Sequence, residues 1–183
     1  MRTLVGTLLI IAGANPLTAQ PGPRTPTPAP SFSPDSGPRK PIRTTRDCVV
    51  VRIIDGDTFN CKDIGNVRMT GIDAPERDQR PMGAASSDAL KALLPVGKTV
   101  QLERDVAATD RNGRVLAYVW VNGRMINWVM VRSGWTAAFT VPPNVQYVDD
   151  LRKAQTKARD EKLGLWKTNG FSCLPVDHRQ KKC

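Results

Sequence analysis

Two carboxylates and a proline stand together where an apolar segment of the sequence ends. The segment Gly71-Ile72-Asp73-Ala74-Pro75-Glu76 places Asp73 and Glu76 three residues apart. A structural interpretation is open, because proline ends strands and acids are common in solvated turns. A functional interpretation is also open, because carboxylates bind hard cations and polarise water. The choice depends on the other side chains that the fold brings beside them.

Chemistry based on histidine has little support in this sequence. The single histidine, His178, lies near the C-terminal end, which argues against two-histidine ribonuclease chemistry and against histidine-ligated nuclease metal sites. No G-x-S-x-G nucleophile motif is present. Catalysis would therefore use carboxylates and arginines, with or without a hard metal ion.

Further acids and arginines stand at the ends of predicted strands and in predicted turns. They are Asp55, Asp57, Arg68, Asp110 and Arg114. Each has an ordinary structural explanation, since D-G is a common hairpin turn and D-x-N-G-R is a good loop sequence. Together with the first two acids they would supply oxygen ligands for a cation, two arginines for a phosphate and a carboxylate for water. That is a complete set for phosphodiester hydrolysis.

The elements that must position these residues follow from the hydrophobic pattern. Alternating and β-branched segments predict five strands, at residues 48–54, 58–62, 66–72, 99–103 and 115–121. Helical spacing predicts three helices, at residues 83–94, 125–132 and 147–163. This order suits an α+β fold that is mainly β: a five-stranded OB-fold barrel with three packed helices. OB-folds often bind oligonucleotides, but the fold alone does not give the function.

The remaining sequence divides into segments of different composition. Residues 1–19 are expected to be a signal peptide, with Arg2 before a short apolar stretch and a small-residue cleavage site. Residues 20–46 contain eight prolines and are expected to form a disordered tether. Residues 47–167 form the predicted domain, and residues 168–183 a short docked tail with a basic end. We expect an exported protein, periplasmic or secreted, without membrane insertion after signal cleavage, and a monomer.

The sequence contains four cysteines, Cys48, Cys61, Cys173 and Cys183. In an exported protein this number predicts two disulfides, for which three connectivities are possible. We favour the local pairing, Cys48 with Cys61 and Cys173 with Cys183. No C-x-x-C pair is present, so the sequence gives no support to a zinc ribbon.

A formal net charge of +10 suggests a polyanionic partner. Within residues 47–167, however, 18 basic side chains face 15 acidic ones, so most of the excess belongs to the terminal segments. The charge would help a polyanion approach, but it does not locate a site.

Four motifs in register make the sequence resemble the staphylococcal nuclease (thermonuclease) family. The resemblance extends from about Val49 to Trp166 and passes through DGDTF, VRMTGIDAPE, TDRNGRVLAYVWVNG with MINWVMVRSGWT, and LRKAQTKARDEKLGLW. It implies an OB-fold barrel with three helices. It also implies Ca²⁺-dependent hydrolysis of DNA and RNA that leaves 3′-phosphates.

The resemblance assigns one Ca²⁺ ion to a small group of residues. Asp57 and Asp73 match the family's calcium carboxylates, and Ala74 stands where a main-chain carbonyl completes the coordination. Asp55 and Asp110 match acids in supporting positions, near the metal and near the second arginine.

The resemblance also assigns catalytic roles. Arg68, Glu76 and Arg114 match the catalytic residues: Glu76 would orient or deprotonate the attacking water, and the arginines would neutralise charge on the phosphate. Phe139 is predicted to stack on a base of the substrate. The positions of the family's nucleotide-contacting tyrosines are taken here by Asn112, Phe139 and Val141.

Two other functions are compatible with the sequence. The first is a noncatalytic OB-fold module that binds nucleic acid, although such modules typically lack catalytic residues that are all present here. The second is an envelope interaction protein in which the proline-rich tether matters, and it leaves the acids and arginines unexplained. Incubating the protein with plasmid and RNA, with Ca²⁺ or with chelator, separates the three.

Overall fold

A computed structural model describes residues 37–183. The predicted signal peptide and most of the predicted tether lie outside the described residues. The strands are β1 Thr45–Ile53, β2 Thr58–Cys61, β3 Gly65–Met69, β4 Ile72–Asp73, β5 Thr99–Glu103, β6 Val115–Val121, β7 Arg124–Met125 and β8 Ala137–Ala138. The helices are α1 Met82–Leu93, α2 Ile126–Arg132, α3 Val148–Asp160 and α4 Pro175–Arg179, with a 3₁₀ turn at Gly164–Thr168.

Five strands close into a barrel. The sheet order is β3-β2-β1-β5-β6 with antiparallel neighbours, and a parallel pairing of β3 with β6 joins its two ends. The predicted α+β OB-fold barrel is therefore confirmed. The closing pair sets Arg68 beside Leu116, so that the arginine's strand adjoins the strand that follows Arg114.

The core fills the barrel and the space beneath the helices. Alternate strand residues such as Val50, Phe59 and Val67 point inward, and α2 buries nearly its whole length. Burying such side chains stabilises a fold by roughly 1.5–3 kcal/mol each. The packed core therefore holds the strands in place, and with them the polar residues at the strand ends.

The predicted third strand is interrupted where it approaches the acids. It was expected to run over residues 66–72, but β3 ends at Met69 and Gly71 takes a φ of +79°. A Cβ on Gly71 would lie 2.5 Å from the Leu151 side chain, so both conformation and space favour glycine. The chain then forms β4, which pairs with β8 and carries Asp73.

The folded part begins earlier than the predicted end of the tether at residue 46. β1 starts at Thr45, and the backbone N–H groups of Ile42 and Arg43 donate to Glu103 Oε1 at 2.9 and 2.8 Å. Glu103 is fully buried, so it needs donors for its charge. Residues 42–46 therefore belong to the domain because of hydrogen bonds, which an apolar pattern does not reveal.

The two predicted disulfides are confirmed. Cys48–Cys61 joins β1 to β2, and Cys173–Cys183 closes a loop in the tail, each with Cα atoms 5.8 Å apart.

The tail contains α4, a short helix that the sequence analysis did not predict. Within residues 37–183 no helix combines the length and the apolar character that crossing a membrane requires.

Candidate active site

The site residues that the sequence predicted all line one open cleft of about 680 Å³. They come from the β1–β2 turn, β3, β4 and the loop after it, the loop before β6, and the segment after β8. They are Asp55, Asp57, Arg68, Asp73, Ala74, Glu76, Asp110, Arg114 and Phe139. The barrel thus brings together residues that are up to 84 positions apart in the sequence.

One guanidinium group joins the two proposed metal carboxylates. Arg68 Nη2 lies 3.1 Å from Asp57 Oδ2 and 3.0 Å from Asp73 Oδ1. Its other terminal nitrogen donates to the main-chain oxygens of Met69 and Ile72, both at 2.8 Å. Arg68 is thereby held on several sides, and the two carboxylates converge on a single cationic atom.

Asp57 is oriented by its neighbours in the chain and across the cleft. Its Oδ2 accepts from the Ala74 N–H at 2.6 Å, and its Oδ1 accepts from the Thr58 hydroxyl at 2.9 Å. Its own N–H donates to Asp55 Oδ1 at 3.1 Å, which closes the turn between β1 and β2. The turn and the end of β4 therefore fix each other through this one side chain.

The acids on this side of the cleft are crowded and largely buried. Burial, and after it the negative charge of Asp57, raise the pKa of Asp55 to about 6. Burial also raises the pKa of Asp73, against the hydrogen bond from Arg179 and the charge of Arg68. Carboxylates in such a setting favour a cation among them.

The donor set is suited to a hard metal ion. Asp57 and Asp73 offer only oxygen, the ligand type that Ca²⁺ prefers. Among residues 37–183 no three His, Cys, Asp or Glu side chains are grouped so that they could hold a metal by themselves. An ion here would therefore draw on main-chain oxygen and water beside the two carboxylates, and with those ligands the residues fit it.

Arg114, which also lines the cleft, is anchored by Asp110. Its Nε donates to Asp110 Oδ2 at 2.7 Å, and its N–H donates to Asp110 Oδ1 at 3.0 Å. Burial acts to raise the pKa of Asp110, but the hydrogen bonds from Arg114 outweigh it and lower the pKa. No described residue accepts a hydrogen bond from the two Nη atoms of Arg114, so these are the donors that a phosphate would meet.

Glu76 contacts an arginine that the sequence analysis missed. Arg179, in α4 of the tail, donates to Glu76 Oε1 at 2.6 Å and to both oxygens of Asp73 at 3.1 and 2.8 Å. These contacts raise the pKa of the Arg179 guanidinium, chiefly through the hydrogen bond to Asp73. The only signals in the sequence were the basic end of the tail and the cysteine pair that closes it.

Phe139 lies at an apolar part of the cleft. Its N–H donates to the Gly71 oxygen at 2.9 Å, and its side chain is half-buried. Val141, which lines the same cleft, is 56% exposed. This side of the cleft offers an apolar surface of the kind on which a base can stack.

Comparisons with known proteins show that the chain is similar to nucleases. The model of the staphylococcal nuclease homologue family matches residues 66–168. The thermonuclease of Staphylococcus hyicus is 37% identical over 125 residues, which cover 64% of this chain and 73% of that protein. The thermonuclease of Staphylococcus intermedius is 36% identical over 126 residues, 64% of this chain and 74% of that protein.

A longer relative matches over only part of its length. The SPbeta prophage-derived endonuclease YokF of Bacillus subtilis (strain 168) is 36% identical over 135 residues. The match covers 68% of this chain but 45% of that endonuclease. This chain therefore spans less than half the length of that endonuclease.

Proposed function

Because the chain belongs to the staphylococcal nuclease family and carries its phosphodiesterase domain, we propose that it is an exported, Ca²⁺-dependent nuclease. Its substrates would be DNA and RNA, and its products would end in 3′-phosphates. The observation that carries this proposal is the convergence of Asp57 and Asp73 on one cationic atom, beside Glu76 and two arginines. Metal dependence is a property of the family, and the choice of Ca²⁺ is part of the proposal.

Asp57 and Asp73 would hold the ion, with the main-chain oxygen of Ala74 as a further ligand. When bound, Ca²⁺ would supply positive charge to the phosphate and help to activate water. The surrounding hydrogen bonds from Thr58 and the Ala74 N–H keep Asp57 in place before any ion arrives. Such preorganisation avoids a reorganisation cost during the reaction.

Glu76 is the proposed general base. Its carboxylate would take a proton from water as the water oxygen attacks phosphorus. The bond from phosphorus to the 5′ oxygen would break, and that oxygen would take up a proton from solvent, leaving a 3′-phosphate and a 5′-hydroxyl. The Arg114 Nη groups and the Arg68 guanidinium would stabilise the charge on the phosphate oxygens.

Cleavage of both DNA and RNA follows from this choice of nucleophile. Water does not need the ribose 2′-hydroxyl, and Glu76 acts on water and not on the sugar. Phe139 would contribute stacking, a contact worth roughly 1–3 kcal/mol per base and tolerant of sequence. We therefore propose a nuclease with little discrimination between the two nucleic acids.

Export is proposed from the termini and the cysteines. The two disulfides are typical of proteins that fold in oxidising compartments. The N-terminal sequence has the pattern of a signal peptide, so we propose that the protein is periplasmic or secreted. We further propose that it acts as a monomer.

The test is cleavage of plasmid, single-stranded DNA and RNA in Ca²⁺ or in excess chelator. We expect hydrolysis of all three in Ca²⁺ and none in chelator, with 3′-phosphates identified by mass spectrometry. Glu76→Gln is the matched control, because it keeps the shape and removes the base. Binding without cleavage in Ca²⁺ would instead favour the noncatalytic module, and cleavage undiminished by chelator would refute the metal assignment.

A further inference from the structure

Arg179 occupies two of the hydrogen-bonding positions of Asp73, one of the proposed metal ligands. A carboxylate offers about four lone-pair positions. On Asp73, Oδ1 accepts from Arg68 Nη2 and Arg179 Nη1, and Oδ2 accepts from Arg179 Nη2. Three of the four positions are therefore taken by guanidinium groups, and two of those three by Arg179.

The contacts to these carboxylates differ in how readily they can be released. Arg68 is part of β3 and is held by two main-chain oxygens, with a side chain that is only 14% exposed. The Ala74 N–H belongs to the backbone beside β4. The Arg179 side chain is 41% exposed and comes from a five-residue helix outside the barrel. The Arg179 contact is therefore more exposed than the Arg68 contact and comes from an element outside the barrel.

The tail is docked onto the loop that carries Glu76. Gln79, which is 5% exposed, accepts from the Glu76 N–H at 2.9 Å and donates to the Cys173 oxygen at 3.1 Å. His178 Nε2 lies 3.1 Å from Asp78 Oδ1. The Cys173–Cys183 disulfide closes the tail around α4. These contacts keep the Arg179 guanidinium at a high local concentration beside Asp73 and Glu76.

We propose that Arg179 is a tethered cation that competes with the metal ion for Asp73 and holds Glu76 until that ion binds. The disulfide-closed tail is then a regulatory part of the active site, which sets the Ca²⁺ concentration at which the enzyme becomes active. This inference rests on the proposed function of Asp57 and Asp73 as metal ligands. Its physical basis is that one carboxylate oxygen cannot give the same lone pair to a guanidinium N–H and to an ion.

The experiment is isothermal titration of the full chain with Ca²⁺ alone, without nucleic acid. Arg179→Ala is expected to tighten Ca²⁺ binding about tenfold, because the two charge-assisted hydrogen bonds that compete with the ion for Asp73 are lost. Arg179→Lys keeps the positive charge, but a lysine cannot contact both Asp73 oxygens and Glu76 at once. The Ca²⁺ affinity of this variant should therefore lie between those of wild type and Arg179→Ala. Lys182→Ala is the matched control, since it removes a positive charge from the same tail and should bind like wild type.

The Cys173–Cys183 disulfide allows a second, independent test. A Cys173→Ser, Cys183→Ser double variant keeps Arg179 but loosens its attachment, so its Ca²⁺ affinity should lie between wild type and Arg179→Ala. Thermal unfolding of each variant checks that the barrel remains intact. Nuclease assays over a range of Ca²⁺ should place the half-maximal concentration in the same order as the binding constants.

The outcomes separate this inference from the function on which it rests. Equal Ca²⁺ affinity in wild type and Arg179→Ala, with weakened binding in Asp57→Asn, would overturn the competition and leave the proposed nuclease intact. Weaker Ca²⁺ binding in Arg179→Ala would also overturn it, because Arg179 would then be supporting the metal site. Absence of Ca²⁺ binding in wild type and all variants would overturn the metal assignment and this inference together. If the double cysteine variant bound Ca²⁺ with wild-type affinity, the disulfide would not be needed to hold Arg179 in competition with the ion.

Discussion

Replacing Arg114 by alanine should lower the catalytic rate strongly and change the stability of the fold only slightly. Its Nε bond to Asp110 at 2.7 Å joins two side chains that are 32% and 17% exposed. After Arg114→Ala, Asp110 Oδ1 still accepts from two backbone N–H groups, those of residue 114 and of Asn112. The loop therefore keeps these backbone hydrogen bonds, and the partly exposed ion pair that it loses is worth about 1 kcal/mol at most.

The expected effect on catalysis is much larger. The Nη atoms of Arg114 are the donors proposed to meet the developing charge on the phosphate. Loss of one such donor typically lowers kcat by about 10²–10³, which corresponds to roughly 2.7–4 kcal/mol. Arg114→Lys retains a point charge without the planar fork and should recover only part of the rate.

The assay is the initial rate on single-stranded DNA at saturating Ca²⁺, alongside urea unfolding of each variant. Arg104→Ala is the control, because Arg104 is exposed and lies outside the cleft. We expect kcat to fall by two to three orders of magnitude for Arg114→Ala and to stay unchanged for Arg104→Ala, roughly in line with loss of one preorganised donor. A kcat within threefold of wild type, with a folded protein, would refute the role given to Arg114.

Three further substitutions test other parts of the structure. Glu76→Gln should lower kcat by about 10²–10⁴ in rapid-quench measurements while calorimetric Ca²⁺ affinity does not weaken, because it removes a base and not a metal ligand; a weakened affinity would contradict this. Asp57→Asn should weaken Ca²⁺ binding at least about tenfold in the same titration, since a charged oxygen ligand is lost, and an unchanged affinity would place the ion elsewhere. Glu103→Ala should destabilise the fold by roughly 3 kcal/mol or more in urea, because Trp120 Nε1–H and the Tyr147 hydroxyl lose their buried acceptor; a loss below about 1 kcal/mol would show that water replaces it.

Local patterns were sufficient to predict most of the barrel. The predicted strand at residues 99–103 and that at 115–121 have the observed bounds, and α1 spans residues 82–93 against the predicted 83–94. These segments combine strong periodicity with clear turn signals at their ends, so propensity and packing agree. The pairings of β4 with β8 and of β6 with β7 were not predicted, because strands of two residues have no readable period.

The site was predicted from the sequence only in part. Residues near the ends of strands could be placed together once the barrel was assumed, and all of them line the cleft. Arg179 could not be placed in the same way, since it is 103 residues from Glu76 and no periodic element leads to it. Its position depends on the buried amide of Gln79 and on the disulfide loop, which are tertiary contacts.

The charges that line the cleft suggest why an ion would matter for binding as well as for chemistry. Among the described residues, five carboxylates and four arginines line it. A nucleic acid backbone would thus meet a slight excess of negative charge, and a divalent cation would reverse that sign.

We expect Ca²⁺ to tighten oligonucleotide binding in the Glu76→Gln background, measured by fluorescence anisotropy at fixed ionic strength. Arg179→Ala in that background should weaken oligonucleotide binding while it tightens Ca²⁺ binding, because the same guanidinium repels the ion and attracts the phosphates. If both affinities moved in the same direction, Arg179 could not be acting through its charge in the cleft.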